Sequence, residues 1–97
     1  MGRKMIQDGH FQEAIGLLTE AVKLDPFFAA AYNARGYAEL RLKRYTEAIA
    51  DFDQAIRINP AYANAYTNRA VARRASGDKA GAESDTTAAQ KLAGTER

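Results

Sequence analysis

The feature that most constrains this sequence is an internal repeat with a period of 34 residues. Asp25-Pro26 and Asn59-Pro60 lie one period apart. The same offset aligns eight further identities: Ala29, Ala31, Tyr32, Arg35, Ala38, Ala48, Asp51 and Ala55 fall on Ala63, Ala65, Tyr66, Arg69, Ala72, Ala82, Asp85 and Ala89. A period of this length is typical of chains built from stacked supersecondary units, in which each unit buries its apolar face against a neighbour.

Each unit is predicted to be a pair of helices, because alanine, the strongest helix former, accounts for 21 of the 97 residues. In the middle unit the first helix is expected over 29–42 and the second over 45–58, where apolar residues keep helical spacing and Asn59-Pro60 ends the helix. Turns are expected at 76–78 in the third unit and at Asp8-Gly9-His10 in the first. Six helical segments follow, the first of them truncated.

The fold class is therefore all-α, and the chain is predicted to be a single domain over residues 1–97. It divides into a partial repeat (1–28), a full repeat (29–62) and a divergent C-terminal capping repeat (63–96). A capping repeat needs a polar outer surface. The residues expected to supply it are Glu83, Ser84, Asp85, Thr86, Thr87 and Gln90.

The middle unit resembles the tetratricopeptide repeat (TPR) family. Its matching positions are Tyr32, Gly36, Ala48, Phe52, Ala55 and Pro60, and it departs from the family pattern at Arg35, Glu39 and Lys43. The small residue at Gly36 is expected to let the two helices of the pair approach closely. The resemblance implies antiparallel helix-turn-helix repeats stacked into a right-handed α-solenoid.

The resemblance also implies a function: the first helices of successive repeats line a concave groove that holds a peptide or a partner helix. Some chaperone adaptors of the family grip an acidic C-terminal peptide with a basic clamp. The matching positions here are Arg3, Ala34, Asn64 and Asn68, so that clamp is mostly missing. A receptor for chaperone tails is therefore disfavoured.

Residues at helical spacing on the two later first helices form the candidate binding surface. They are Asn33, Tyr37, Arg41, Asn64, Thr67 and Arg74. The amides can donate to and accept from a peptide backbone, the arginines suit a carboxylate, and the tyrosine offers an apolar face with a polar tip. The partner is expected to be a protein or peptide, with an acidic segment favoured because the first helices are rich in arginine and lysine.

Enzymatic function is not expected. The sequence has no cysteine and one histidine, His10, so thiolate and multi-histidine metal sites are excluded, and most hydrolytic mechanisms are disfavoured because a catalytic triad would have to use His10. Asp51 and Asp53 diverge on their helix, as do Glu83 and Asp85, and these carboxylates are expected to form a solvated acidic outer face. No catalytic residue, metal site or cofactor is predicted.

Apolar runs are too short for a membrane-spanning helix or a signal peptide, so no membrane partner is expected. A cytoplasmic location is favoured, although the sequence does not determine the compartment. Phe27, Phe28 and Tyr32 are expected in the core because their placement follows the repeat.

Two alternatives to peptide binding remain. A half-repeat would leave Ile6, Phe11, Ile15 and Leu18 partly uncovered, which predicts weak self-association through the N-terminal end. The second alternative is nucleic-acid binding by the arginine-rich layer of first helices, and the net charge of only +2 and the lack of long basic runs count against it.

Overall fold

A computed structural model of the chain describes the backbone of residues 2–95 and the side chains of residues 9–94. Five α-helices, and no strand, occur in the described part of the chain: α1 (Gly2–Leu24), α2 (Ala29–Arg41), α3 (Tyr45–Ile58), α4 (Ala63–Ala75) and α5 (Lys79–Thr95). Each helix packs against the next, and α2 also contacts α4. The all-α helical-repeat architecture predicted from the sequence is confirmed.

The loops that join the repeats are built on an aspartate or asparagine followed by proline. Asp25 Oδ1 accepts a hydrogen bond from the Phe27 amide, and Asn59 Oδ1 accepts one from the Ala61 amide, each at 3.1 Å. These side chains replace backbone partners that are lost at the proline, which has no N–H. For this reason α3 ends at Ile58, as predicted.

The turns within the later two repeats place a residue in the left-handed conformation. Gly77 has φ 98° and Lys43 has φ 63°. The amides of the following residues, Asp78 and Arg44, donate to the carbonyls of Arg73 and Glu39 at 2.8 Å, which closes the last turn of the preceding helix. Glycine adopts this conformation without strain, whereas lysine does not.

The turn predicted at Asp8-Gly9-His10 does not form, and α1 continues through Gly9 as one helix. This corrects the expected count of six segments to five. Glycine permits a helical backbone as well as a turn, and continuation of α1 through Gly9 keeps the backbone groups around it hydrogen-bonded within one helix. The predicted roles of Arg3 and Ile6 concern side chains outside the described residues.

Small residues form most of the core. One buried cluster contains Val22, Ala31, Tyr32, Ala55 and Ala65, and a second contains Ala48, Phe52 and Ala72. Phe52, which is fully buried, lies against Gly36 so closely that a Cβ atom built on Gly36 would stand 2.6 Å from the ring. Gly36 therefore has the close-packing role predicted for it.

Several apolar side chains lie elsewhere than expected. Tyr32 is buried as predicted, but Phe27 is 78% exposed and Phe28 46% exposed, because both stand in the loop beyond α1. Near the N-terminal end, Phe11 and Leu18 make packing contacts. Phe11, Ile15 and Leu18 are half-buried, as predicted, whereas the most exposed large apolar side chains of α1 among the described residues are Leu17 (75%) and Leu24 (88%).

Candidate functional site

A groove of about 460 Å³ lies between α2 and α4, near the start of α3. We call it the α2–α4 groove. Its lining residues are Tyr37, Leu40, Arg41, Lys43, Tyr45, Asn68, Val71 and Ala75. Of the six residues predicted for the binding surface, Tyr37 and Arg41 belong to this lining. The groove is mostly apolar, with two cationic side chains along it.

Tyr37 and Arg41 are held in place by Phe11 of α1. The rings of Phe11 and Tyr37 meet edge to face with centroids 6.2 Å apart, and the Arg41 guanidinium lies 5.4 Å from the centre of the Phe11 ring. Arg41 Nη1 also donates to the Tyr37 hydroxyl at 3.4 Å. These contacts orient an exposed aromatic ring and a cation side by side.

Asn33 and Asn64, which were also predicted to contact a ligand, bond to each other instead. Asn33 Nδ2 donates to Asn64 Oδ1 at 2.9 Å and to the Tyr62 hydroxyl at 3.3 Å. Asn68 Nδ2 donates to Asn33 Oδ1 at 3.2 Å and to Asn64 Oδ1 at 3.1 Å. We call Asn33, Asn64 and Asn68 the amide cluster. Its bonds join α2 to α4 and occupy much of the hydrogen-bonding capacity expected to serve a peptide.

Thr67 and Arg74 are exposed on α4 but are not part of the groove lining. The Thr67 hydroxyl donates to the Ala63 carbonyl of its own helix at 3.2 Å. The predicted surface did not include the other six lining residues, which are Leu40, Lys43, Tyr45, Asn68, Val71 and Ala75. Lys43 and Tyr45 could have been found from their place at the turn between α2 and α3, where the end of a first helix meets the groove.

The charged layers of the two helices of each repeat face each other. Arg35 of α2 donates to both carboxylate oxygens of Asp51 on α3, at 2.8 and 2.7 Å. One period later, Arg69 of α4 donates to both oxygens of Asp85 on α5, at 2.9 and 2.8 Å. The guanidinium of Arg35 lies over the ring of Tyr32, 5.7 Å from its centre, and Arg69 lies over Tyr66 in the same way.

These pairs correct the prediction of a solvated acidic outer face at Asp51 and Asp85, whereas Glu83 is exposed as predicted. Asp51 and Asp85 are buried, at 5% and 2% exposure. Arg69 also binds Asp53 at 2.7 Å, and Arg73 binds Asp85 at 2.9 Å. Three arginines of the first helices are thus neutralised by carboxylates of the second helices, so the cationic surface is narrower than the sequence suggested.

The ion pairs and the burial around them shift the pKa values of Arg35, Arg69 and Glu39. Hydrogen bonding to Asp51 raises the pKa of Arg35, and hydrogen bonding to Asp85 raises the pKa of Arg69. Glu39, which is 8% exposed, has a side-chain oxygen without a hydrogen-bond partner among the described residues. Burial, followed by the nearby Asp51 carboxylate, raises the pKa of Glu39 to about 8.

Arg41 and Lys43, which line the groove, and Arg74 of α4 are exposed cations. Within residues 9–94, none of the three forms an ion pair with a carboxylate.

No helix over residues 2–95 combines the length and the apolar character needed to cross a membrane.

The chain is similar to proteins of one family. A family model described as tetratricopeptide repeat matches residues 2–63. A search of curated proteins finds no match to the sequence.

Solved structures share the fold along nearly the whole chain. The first TPR domain of Spaghetti (RPAP3), solved with the HSP90 peptide SRMEEVD, is 31% identical with a TM-score of 0.85, over 94% of this chain and 72% of that one. The TPR2B domain of yeast Sti1, in a complex with pHsp70, is 31% identical with a TM-score of 0.84, over 94% and 73%. The second TPR domain of human RPAP3, with the HSP70 peptide SGPTIEEVD, is 28% identical with a TM-score of 0.84, over 94% and 76%.

Proposed function

This chain belongs to the tetratricopeptide repeat family, and on that premise we propose that it is a non-catalytic module that binds a peptide segment of a partner protein in the α2–α4 groove. The observation that carries the proposal is the groove itself. Its volume of about 460 Å³ lies within the range of small-ligand sites, and its apolar lining includes the exposed side chains of Tyr37 and Val71.

The similar domains support a peptide as the ligand. Those of RPAP3 and Sti1 were solved with chaperone peptides or in a chaperone complex, and the two RPAP3 peptides end in EEVD. An acidic segment also suits this chain, because Arg41 and Lys43 line the groove and Arg74 is exposed on α4. Such charges attract and orient an acidic partner, and salt weakens the attraction.

A non-catalytic role agrees with the side chains that line the groove. They are aliphatic, aromatic, amide and basic groups, without a carboxylate, histidine, serine or cysteine among them. A basic catalyst paired with a nucleophile, the arrangement on which most covalent and acid–base mechanisms depend, is not present in that lining.

The test uses a double variant and a matched control. Peptides are selected from a displayed library of 12-residue sequences with the wild-type chain, and their Kd values are measured by calorimetry. Tyr37→Ala combined with Arg41→Ala should weaken the selected peptides at least tenfold, while Arg57→Ala, which removes an exposed cation from α3, should leave them within twofold. A library that gives no binder, or binders that tolerate the double variant, would refute the proposal.

A second candidate function is self-association, and it is favoured by one observation. Leu17 and Leu24 lie two turns apart on one side of α1, both largely exposed, and Phe27 follows them in the next loop. A second copy of the chain could cover this apolar strip. Sedimentation across a concentration series should then show a dimer that Leu17→Ser with Leu24→Ser abolishes. A monomer at the highest concentration reached would exclude it.

A further inference from the structure

We infer that the α2–α4 groove recognises an apolar side chain inside a peptide, with acidic residues beside it, and does not recognise the free carboxylate at a peptide's end. This inference rests on the proposed function and names the class of peptide. Three observations support it: the amide cluster makes hydrogen bonds within itself, the groove lining is mostly apolar, and cations lie along the groove.

The amide cluster is poorly suited to a terminal carboxylate. A carboxylate is bound well by charged donors, because charge-assisted hydrogen bonds are shorter and roughly twice as strong as neutral ones. Asn64 and Asn68 are neutral, and both already bond within the cluster. In the cluster Asn64 is an acceptor through Oδ1, whereas Asn68 Nδ2 donates to both Asn33 and Asn64. A carboxylate placed there would have to displace the bonds that Asn68 donates, and from Asn64 it would gain only a neutral donor.

The groove beside the amide cluster suits an apolar side chain. Tyr37 from α2 and Val71 from α4 border it and are 42% and 47% exposed. Leu40, Tyr45 and Ala75 complete the apolar lining. When a ligand covers these partly exposed apolar side chains, their apolar surface is removed from water, which favours binding. A phenylalanine or leucine side chain of a peptide would gain the most from this burial.

The cations lie along the same groove, so the acidic residues of a bound peptide are expected next to its apolar residue. Arg41 is oriented by Phe11 and Tyr37, so little conformational entropy is lost when it binds a carboxylate. Lys43 lies at the turn that ends the groove. A peptide whose apolar residue enters the groove would therefore carry its acidic residues immediately before or after that residue.

The experiment uses capped peptides in which both ends are uncharged. The series acetyl-SGEXEGS-amide, with X as phenylalanine, leucine or alanine, is titrated into the chain together with SRMEEVD as the free acid and as the C-terminal amide. We expect the phenylalanine or leucine peptide to bind at least tenfold more tightly than the alanine peptide. Amidation should change the Kd of SRMEEVD less than twofold.

Two controls separate the inference from the proposed function. Val71→Ser should weaken the phenylalanine peptide at least fivefold, with an unchanged circular dichroism spectrum, and a version with lysine in place of both glutamates should lose binding. Binding of SRMEEVD that amidation weakens tenfold or more, without binding of the capped series, overturns the inference and leaves the proposed function standing. Absence of binding by every peptide overturns both.

Discussion

The guanidinium of Arg35 and the carboxylate of Asp51 join α2 to α3 through two hydrogen bonds of 2.8 and 2.7 Å, and the carboxylate is almost fully buried. Arg69 and Asp85 repeat the arrangement in the next repeat. The pair is thus part of the structural unit that the sequence duplicates. It fixes the contact between the two helices of each repeat, and it removes charge from the surface.

We expect Asp51→Ala to lower the free energy of unfolding by about 3–5 kcal/mol, because loss of one partner leaves the other charge in a poorly hydrated site. The matched control is Glu20→Ala, which breaks the exposed Lys23–Glu20 pair and should change stability by less than about 1 kcal/mol. Urea unfolding followed by circular dichroism measures both. Equal effects at the two sites would show that the buried pair has no special role.

The close contact between Gly36 and Phe52 predicts that the space beside the Phe52 ring is too small for even one methyl group at position 36. Gly36→Ala should destabilise the chain by about 1–3 kcal/mol, the usual cost of overpacking, because the added Cβ would stand 2.6 Å from the ring. In Gly16→Ala the new Cβ meets nothing within 4 Å, so higher helix propensity should raise stability by about 1 kcal/mol. Thermal midpoints that shift in the same direction would contradict this packing.

Lys43 is expected to be a site where glycine stabilises the chain. Its φ of 63° is unfavourable for a residue with a Cβ, so Lys43→Gly should raise the free energy of unfolding by about 1 kcal/mol. Lys23→Gly tests the opposite case, because Lys23 has a helical backbone in the last turn of α1 and should lose about 1 kcal/mol. Chemical denaturation of both variants checks the difference in sign.

Glu39 is expected to make stability fall as the pH rises from about 4.5 to about 8. The folded chain raises the pKa of Glu39 from 4.5 to about 8, so the folded state holds a proton that the unfolded state has lost over this interval. The stabilisation from this group is therefore complete below pH 4.5 and is lost as the pH rises through 8. The groups that act on it are Arg35, Asp51 and Glu47.

The measurement for Glu39 is the thermal midpoint at several values between pH 5 and pH 9. Glu39→Gln, which cannot ionise, should flatten the decline seen in the wild-type chain. Glu47→Gln, at an exposed position on α3, should leave the decline largely in place. A wild-type midpoint that does not fall over this range would contradict the assignment.

Features that depend on local chemistry could be predicted from the sequence. The end of α3 at Ile58 and the turn at Gly77 follow from residues that permit few alternatives. Gly9 shows the limit of this reasoning. Glycine permits a turn without requiring one, and whether the chain turns depends on the tertiary contacts available to the residues around it.

The ion pairs and the amide cluster were missed because they depend on which helix faces meet. Helical spacing places Asp51 on a polar face, but it does not say that Arg35 covers that face. One signal was present: Arg35 and Asp51 both recur unchanged after 34 residues, although surface positions need not be identical in two repeats. The sequence places Asn33 and Asn64 on the first helices of successive repeats, but their bond to each other could not be inferred from either helix alone.

The amide cluster has a mechanical consequence. Among the described helices, α2 and α4 are the one pair in contact that are not adjacent in sequence. The bonds from Asn33 to Asn64 and Asn68 lie across this contact, so they limit how far the two repeats can tilt apart. The separation of α2 and α4, and with it the width of the groove, is thus restrained by three neutral side chains whose hydrogen bonds should vary little with salt or pH.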